Sequence, residues 1–174
     1  MTPTGKAAPR AKTRATAPIL LVETIPDPEM ATPPAPPGSP VDILARTLWG
    51  EGRSEPVRAQ EALAVLVLNR TRRAQQNGGR YWWGDSIQQV CLKPWQFPCW
   101  NPGHPDRARL LAVGAAARRF RICLRIARRA IAGALDDPTQ GATHYHTRFS
   151  FPPWARDRLP TADIGGLLFY NDVE

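Results

Sequence analysis

The stretch of sequence that decides the fold is LWGEGRSEP, residues 48–56. Leu44, just before this stretch, and Leu48 are four residues apart, which predicts a short first helix. Asp42 is predicted to cap this helix. Two glycines then end or bend this helix. Glu51 continues the stripe of the two leucines, so its carboxyl group points along the face that meets the core.

Glu51 is the candidate catalytic residue because of where this helix ends. A carboxylate on the core-facing stripe is partly desolvated, and it lies near the negative end of the helix dipole. Both effects favour the protonated form. A glutamic acid that keeps its proton near neutral pH is what a glycosidase uses to protonate the departing sugar oxygen. Glu55, just before Pro56, is predicted instead to cap the next helix or to hold Arg53.

The second helix is predicted to begin at Pro56 and to run to about Arg72. Its middle, residues 62–68, is apolar on nearly every side, which is typical of a central helix that is packed all round. Residues 74–105 are rich in Gly, Pro, Asn and Trp and predict a long structured loop with at most short helices. Helical signals then return over residues 106–134, and Gly114 is the position where a break is expected.

The C-terminal part carries the β-strand signals. Thr143, Tyr145 and Thr147 alternate with two histidines, and an apolar run follows at residues 167–170. This pattern predicts two short strands or a small hairpin around a proline-rich excursion. The expected fold class is α+β and mainly helical, in a single domain over residues 41–174 with a small β-sheet.

Residues 1–40 differ in composition from the rest of the chain. They hold more than half of the 19 prolines, many Ala and Thr, and no aromatic residue. Such a segment buries too little surface to offset the entropy of ordering, so a disordered tail is expected. No stretch has the ~20 apolar residues that a membrane span needs. The apolar cluster at 19–22 is also too short for a secretory signal.

The chain is basic, with 23 Lys and Arg against 15 Asp and Glu and a formal net charge of +8. This balance favours polyanions, and nucleic acid, anionic membrane and wall polymer all qualify. Three cysteines, Cys91, Cys99 and Cys123, are too few for a disulfide framework. Three buried or half-buried thiols are expected, with a Cys91–Cys99 pair as the alternative.

Four blocks of sequence together resemble the SleB-type cell wall hydrolases, the spore-cortex-lytic family. GEGRSEP at 50–56 is similar to the family's Gly-Glu-Ala-Arg-Gly-Glu-Pro run, and Gln60 and an apolar helix ending in Asn-Arg come after it in both. Three later blocks resemble the family in the same order: KPWQFPCWN at 93–101, DPTQGATHYH at 137–146 and IGGLLFY at 164–170.

The resemblance covers about residues 42–170. Pro98 stands where the family usually has Ser, and Gly166 or Leu167 where it usually has His or Lys, so the role of that last side chain does not carry over. The resemblance implies a lysozyme-like domain without a cofactor. It also implies cleavage of peptidoglycan glycan strands between N-acetylmuramic acid and N-acetylglucosamine, commonly by lytic transglycosylation to a 1,6-anhydro product.

The resemblance also assigns the chemistry to one residue. The first glutamate of the run, here Glu51, is the one that family members use as acid and then as base. Retaining and inverting glycosidases use two carboxylates at set separations. In a transglycosylase the sugar's own groups complete the reaction, so a single carboxylate suffices.

Substrate contacts are expected in the loop that walls the groove and on the strand beside it. Gln96 is expected to hold an acetamido group, and Trp95 and Trp100 to stack on sugar rings. The alternative is that Trp95 and Phe97 plug the core. Tyr145 is expected to place a hydroxyl in the cleft near Glu51. The predicted supporting residues are Arg53, Glu55, Gln60 and Asn69.

Two other functions stay open on the sequence. His104, His144 and His146 with Cys91 or Cys99 supply ligand types for a zinc-dependent N-acetylmuramoyl-L-alanine amidase, although their spacing is poor. The net charge and an arginine-rich face on the last helix fit a basic nucleic-acid-binding module, which no recognised motif supports. The leading prediction is a peptidoglycan-cleaving enzyme. It is expected to be made in the cytoplasm without a signal peptide and to act on the wall, for instance as a phage or phage-like lysis component.

Overall fold

The computed structural model describes residues 33–171 and 173, and in that part of the chain the protein is mainly helical with one small sheet. The helices are α1 (Pro40–Gly52), α2 (Val57–Gln76), α3 (Ile87–Leu92), α4 (Arg107–Ala112) and α5 (Arg118–Ile131). The strands are β1 (His144–Thr147), β2 (Ala162–Ile164) and β3 (Leu167–Tyr170). The predicted α+β class is therefore confirmed. None of the helices described here is both long and apolar enough to cross a membrane.

The first helix begins in the segment that composition assigned to the tail. Ser39 caps α1, and its Oγ accepts the N–H of Asp42 at 3.2 Å. The prediction of Asp42 as the cap is wrong: Asp42 is buried in the first turn, where it accepts the N–H of Gly38 and pairs with Arg46, both at 3.0 Å. Acidic residues are favoured at the cap and in the first turn alike, so composition did not separate the two positions. The rest of the predicted tail, residues 1–32, lies outside the described residues.

The core forms around α2. Residues 62–67 are all buried, as the apolar run predicts, and the helix extends one turn beyond the predicted end. α1 and α5 pack against it, and each contributes leucines or aromatic rings that water does not reach. Burial of one such side chain contributes about 1.5–3 kcal/mol. The buried side chains of these helices include Leu44 and Leu48 of α1, Leu63 and Leu66 of α2, and Phe120 and Leu124 of α5.

The sheet has the strand order β1-β3-β2, with both pairings antiparallel. In this register Tyr145 lies opposite Phe169, and Ile164 opposite Leu167. Leu167 and Phe169 are buried against the helices, while Tyr170 packs on the other face of the sheet. The predicted two strands are thus three. The three residues of β2 are too few to show an alternating pattern in the sequence.

Glu55 has a different role from the predicted helix cap. Pro56 is the N-cap residue of α2, and no side chain caps that helix. The Oε2 atom of Glu55 instead accepts the N–H of Gly166 at 2.8 Å, so it joins the α1–α2 corner to the β2–β3 turn. Arg53, the other predicted partner, pairs with Asp106 at 2.7 Å. The local sequence predicts a helix cap for Glu55, because nothing near this residue indicates a hydrogen bond to Gly166.

We expect Gly165→Ala to lower the free energy of unfolding by about 2–4 kcal/mol. Gly165 has a φ of +65°, and an added Cβ would lie 2.7 Å from Oε2 of Glu55 and 3.0 Å from Cβ of Ala59. Gly133→Ala is the matched control, because Gly133 has a φ of +70° but nothing within 4 Å of an added Cβ. It should lose only about 1 kcal/mol. Urea unfolding measures both, and equal losses would contradict the tight contact at Glu55.

Candidate active site

A cleft of about 470 Å³ opens where the end of α1, the loop after α3 and strand β1 meet. Four of the predicted site residues line it: Glu51, Trp95, Gln96 and Tyr145. The other residues that line it are Arg70, Trp82, Pro98, His144, His146, Thr147, Ser150, Pro152 and Trp154. Helices, loop and sheet therefore each contribute one side of the same cleft.

Glu51 is half-buried in the last turn of α1, and both of its carboxyl oxygens are hydrogen-bonded. The backbone N–H of Cys99 donates to Oε1 at 3.0 Å. The hydroxyl of Tyr145 donates to Oε2 at 2.9 Å. One partner comes from the loop and the other from the sheet, so the carboxyl group is fixed in place from both sides.

The two partners of Glu51 differ in what they permit. A backbone N–H only donates, whereas a tyrosine hydroxyl donates or accepts. Burial, together with the nearby Glu51, raises the pKa of Tyr145 well above its ordinary value, so the hydroxyl keeps its proton. When Glu51 is protonated, Oε1 must still accept from Cys99. Oε2, whose partner is a hydroxyl, is therefore the oxygen able to take a proton without losing its neighbour.

Gly50 allows the loop to come this close to α1. A Cβ at Gly50 would lie 2.6 Å from Cβ and 2.7 Å from Sγ of Cys99, closer than real side chains approach. The glycine before the glutamate is thus what brings the Cys99 amide within reach of Oε1. Cys99, Cys91 and Cys123 are buried free thiols, as predicted, and Cys91 and Cys99 do not form the alternative disulfide.

Arg70 belongs to the site although no sequence pattern singled it out for a role. It lies in α2, is 5% exposed and lines the cleft. Its Nε donates to the carbonyl of Thr143 at 2.7 Å and its Nη1 to Oε1 of Gln96 at 2.6 Å. The guanidinium carbon lies 5.5 Å from the ring of Trp83 and 5.4 Å from that of Phe97. Burial lowers the pKa of Arg70 to about 10, so the side chain is still charged at neutral pH. The signal in the sequence that indicates Arg70 is an arginine at the end of the apolar run of α2.

The tryptophans divide into two groups. Trp95 is 81% exposed and has a φ of +68°, a conformation that is strained for a bulky residue. Trp82, 56% exposed, lines the cleft as well. The alternative in which Trp95 and Phe97 plug the core is therefore wrong for Trp95, whereas Phe97 is buried in the core. Trp100 lies elsewhere: its indole N–H donates to Oγ1 of Thr47 at 2.9 Å, and it is not among the residues that line the cleft.

Comparison with known proteins agrees with this geometry. A family model described as Cell Wall Hydrolase matches residues 54–170, about two thirds of the chain. The chain belongs to the cell wall hydrolase family. A curated relative, the spore cortex-lytic enzyme of Halalkalibacterium halodurans, is 28% identical over 140 residues, which are 75% of this chain and 34% of the relative. The chain thus spans about a third of the length of that relative.

Two solved structures share the fold of this cell wall hydrolase domain. The catalytic domain of the germination-specific lytic transglycosylase SleB from Bacillus anthracis has a TM-score of 0.58 and 22% identity, over 79% of this chain and 100% of that one. The catalytic domain of the Bacillus cereus SleB protein has a TM-score of 0.54 and 20% identity, over 76% and 89%. The family match begins just after Glu51, so the role of Glu51 has to be argued from the geometry of the cleft.

The four predicted supporting residues hold the elements around the cleft without lining it. Arg53 pairs with Asp106 and lies over the ring of Trp49 at 4.8 Å. Gln60 donates to the carbonyl of Glu55 at 3.0 Å, and so steadies the corner between α1 and α2. Asn69 donates to Asp137 at 3.0 Å and to the carbonyl of Ala142 at 3.1 Å, which fixes the segment that leads into β1.

The zinc alternative requires ligands that this cell wall hydrolase fold keeps apart. In the part of the chain that the structure describes, no three His, Cys, Asp or Glu side chains are grouped to hold a metal ion. The ring of His146 is hydrogen-bonded through Nε2 to the hydroxyl of Tyr170 at 2.9 Å. Burial raises the pKa of Cys91 to about 12, away from the thiolate that zinc binds. The amidase alternative is not favoured.

We expect His144 to make the stability of the domain depend on pH. Burial, helped by the charges of nearby arginines, lowers the pKa of His144 to about 4 from an ordinary value of 6.5. The unfolded chain therefore binds more protons than the folded one between about pH 6.5 and 4, and stability falls as the pH falls through that range. Thermal melts at pH 7 and pH 5 should show a larger loss for the wild type than for His144→Asn. Equal losses in the two proteins would refute the inference of a buried neutral imidazole.

Proposed function

We propose that this protein cleaves the glycan strands of bacterial peptidoglycan between N-acetylmuramic acid and N-acetylglucosamine, as a lytic transglycosylase. Glu51 is its single acid and base. The observation that carries the proposal is the half-buried carboxyl group of Glu51 in an open cleft, with each oxygen held by a partner and exposed tryptophans in the walls. Membership of the cell wall hydrolase family supports the proposal, as do relatives named as a spore cortex-lytic enzyme and a lytic transglycosylase.

In the first step the protonated Oε2 of Glu51 gives its proton to the glycosidic oxygen. The bond from C1 of the muramic sugar to that oxygen breaks, and the glucosamine part of the strand leaves with a new hydroxyl group. Positive charge develops at C1 while Glu51 becomes a carboxylate. The hydroxyl of Tyr145, 2.9 Å from Oε2, then donates to the new anion, so its hydrogen bond strengthens as the reaction proceeds.

In the second step the hydroxyl at C6 of the same muramic sugar attacks C1. Its proton passes to Glu51, which returns to its starting form, and the product is a 1,6-anhydro sugar. Water is not consumed. Among the described residues that line the cleft, Glu51 is the one carboxylate. Two-carboxylate glycosidases place their second acid about 5–10 Å from the first, so this lining favours a route that needs one.

We expect the strand to extend over three adjoining depressions. The cleft at Glu51 shares Trp82 with a neighbouring depression of about 510 Å³ and Trp95 with another of about 550 Å³. Exposed indole rings stack on the apolar faces of sugars, and both rings stand where one depression passes into the next. The strained backbone of Trp95 supports a role in binding the glycan strand, because the strain is not compensated by burial of the ring.

Glu51→Gln is expected to fold normally and to lower the release of muropeptides from purified peptidoglycan by about a thousandfold. The glutamine keeps an oxygen for the Cys99 amide but has no acid proton to give. Glu61→Gln is the matched control, because Glu61 lies on α2 in an ion pair with Arg129, and it should retain full activity. Mass spectrometry of the products reads both the amount and the anhydro ends. Retained cleavage by Glu51→Gln would refute the assignment.

Tyr145→Phe is expected to lower kcat roughly ten- to a hundredfold with little change in KM, since it removes a hydrogen bond to a group that gains charge in the transition state. Tyr170→Phe also removes a buried hydroxyl, but one that contacts His146 instead of Glu51. It should change the melting temperature more than kcat. An unchanged kcat in Tyr145→Phe would show that the hydroxyl plays no part in the proton transfer.

A further inference from the structure

We propose that Arg70 and Gln96 together select strands whose sugars carry an N-acetyl group, because the guanidinium of Arg70 fixes the Gln96 amide with its N–H groups toward the cleft. The ligand that this pair recognises is the carbonyl oxygen of an acetamido group, and the strand that it rejects is the N-deacetylated one. The inference rests on the proposed function and adds a specificity to the same cleft.

The orientation of the amide follows from the chemistry of its partner. A guanidinium has five N–H donors and no acceptor, so the atom of Gln96 that faces it at 2.6 Å must be the oxygen. The amide nitrogen then points away from Arg70. Among residues 33–171 and 173, no protein group accepts a hydrogen bond from that nitrogen, while Gln96 itself lines the cleft. Its N–H donors are therefore available to a ligand.

The Gln96 amide is unable to rotate by half a turn, because the buried guanidinium of Arg70 would then lose its acceptor. Arg70 is held by the carbonyl of Thr143 and flanked by the rings of Trp83 and Phe97, so its own fork is fixed. Hydrogen bonds that involve a charged donor are about twice as strong as neutral ones. A buried charge that loses its acceptor is strongly destabilising. The cleft thus presents a rigid donor, not an adaptable amide.

A rigid donor discriminates between the two forms of the sugar. An acetamido carbonyl accepts from Gln96, whereas the ammonium that deacetylation leaves has donors only. That ammonium would face the N–H groups of Gln96, with the positive charge of Arg70 behind them. Sites built to hydrogen-bond one group reject an analogue that lacks it. A preference of roughly ten- to a hundredfold in kcat/KM is expected.

The test uses the full chain and one preparation of peptidoglycan in three forms: N-acetylated, chemically N-deacetylated, and deacetylated then N-acetylated again with acetic anhydride. The wild type should release muropeptides fastest from the first form, and acetylation of the second should restore the rate. Gln96→Glu keeps the size of the side chain and an oxygen for Arg70 but loses the N–H donors. Its preference should fall to near one or invert, with an unchanged melting temperature.

Arg70→Lys separates positioning from packing, because lysine keeps the charge but has no fork to hold both Thr143 and Gln96. Gln96→Ala alone should remove the preference, Arg70→Lys should remove it as well, and combining the two should cause no further loss. Arg58→Lys, on an exposed residue at the start of α2, is the matched control and should keep the preference. If Arg70→Lys does not fold, the two Gln96 variants decide the question.

The outcomes separate this inference from the proposed function. Rapid cleavage of all three forms by the wild type would overturn the selectivity and leave the proposed function standing. The same preference in Gln96→Glu as in the wild type would overturn the role of the pair. No cleavage of any form by the wild type would overturn the proposed function, and the inference with it.

Discussion

A guanidinium that is taken out of water must keep its acceptors, and the arrangement of this cleft depends on that constraint at Arg70. Its partners are the carbonyl of Thr143 before β1, the amide of Gln96 in the loop, and the rings of Trp83 and Phe97. The indole of Trp83 in turn donates to the carbonyl of Arg70 at 3.0 Å. An unpaired buried charge costs several kcal/mol. Helix α2, the loop and the sheet are therefore stable only in the arrangement that supplies acceptors to Arg70.

Glu51, the acidic residue of the cleft, differs from Arg70 in that one of its two oxygens is held by a hydroxyl, which either donates or accepts. The Cys99 amide reaches Oε1 of Glu51 where Gly50 lets the loop touch α1, and it is a donor in every protonation state. Tyr145 reaches Oε2 from β1 and donates to it through a hydroxyl that is also able to accept. One oxygen therefore fixes the position of the carboxyl group, and the other is the oxygen that the proposed mechanism uses.

Features set by local sequence could be predicted, and features set by distant partners could not. The leucine spacing before Glu51, the apolar run of α2 and the four family blocks lie in short stretches, and they were enough for the fold class and the family. Glu55 binds Gly166, and Trp100 binds Thr47, across parts of the chain that no pattern connects. The resemblance indicates the order of the blocks but not their contacts, so it assigns no role to Arg70, which ends the apolar helix after the first block.

Some arginines of the chain satisfy backbone carbonyls at the ends of its short helices. Every helix leaves up to four carbonyls without partners at its C-terminal end, and α4 is only six residues long. Arg46 donates to the carbonyls of Leu110 and Val113 at that end. Arg119 does the same for the carbonyl of Arg53, where α1 ends, and Arg121 donates to the carbonyls of residues 115 and 116 in the turn before α5. These arginines therefore serve the fold itself, and net charge by itself is weak support for a polyanionic partner.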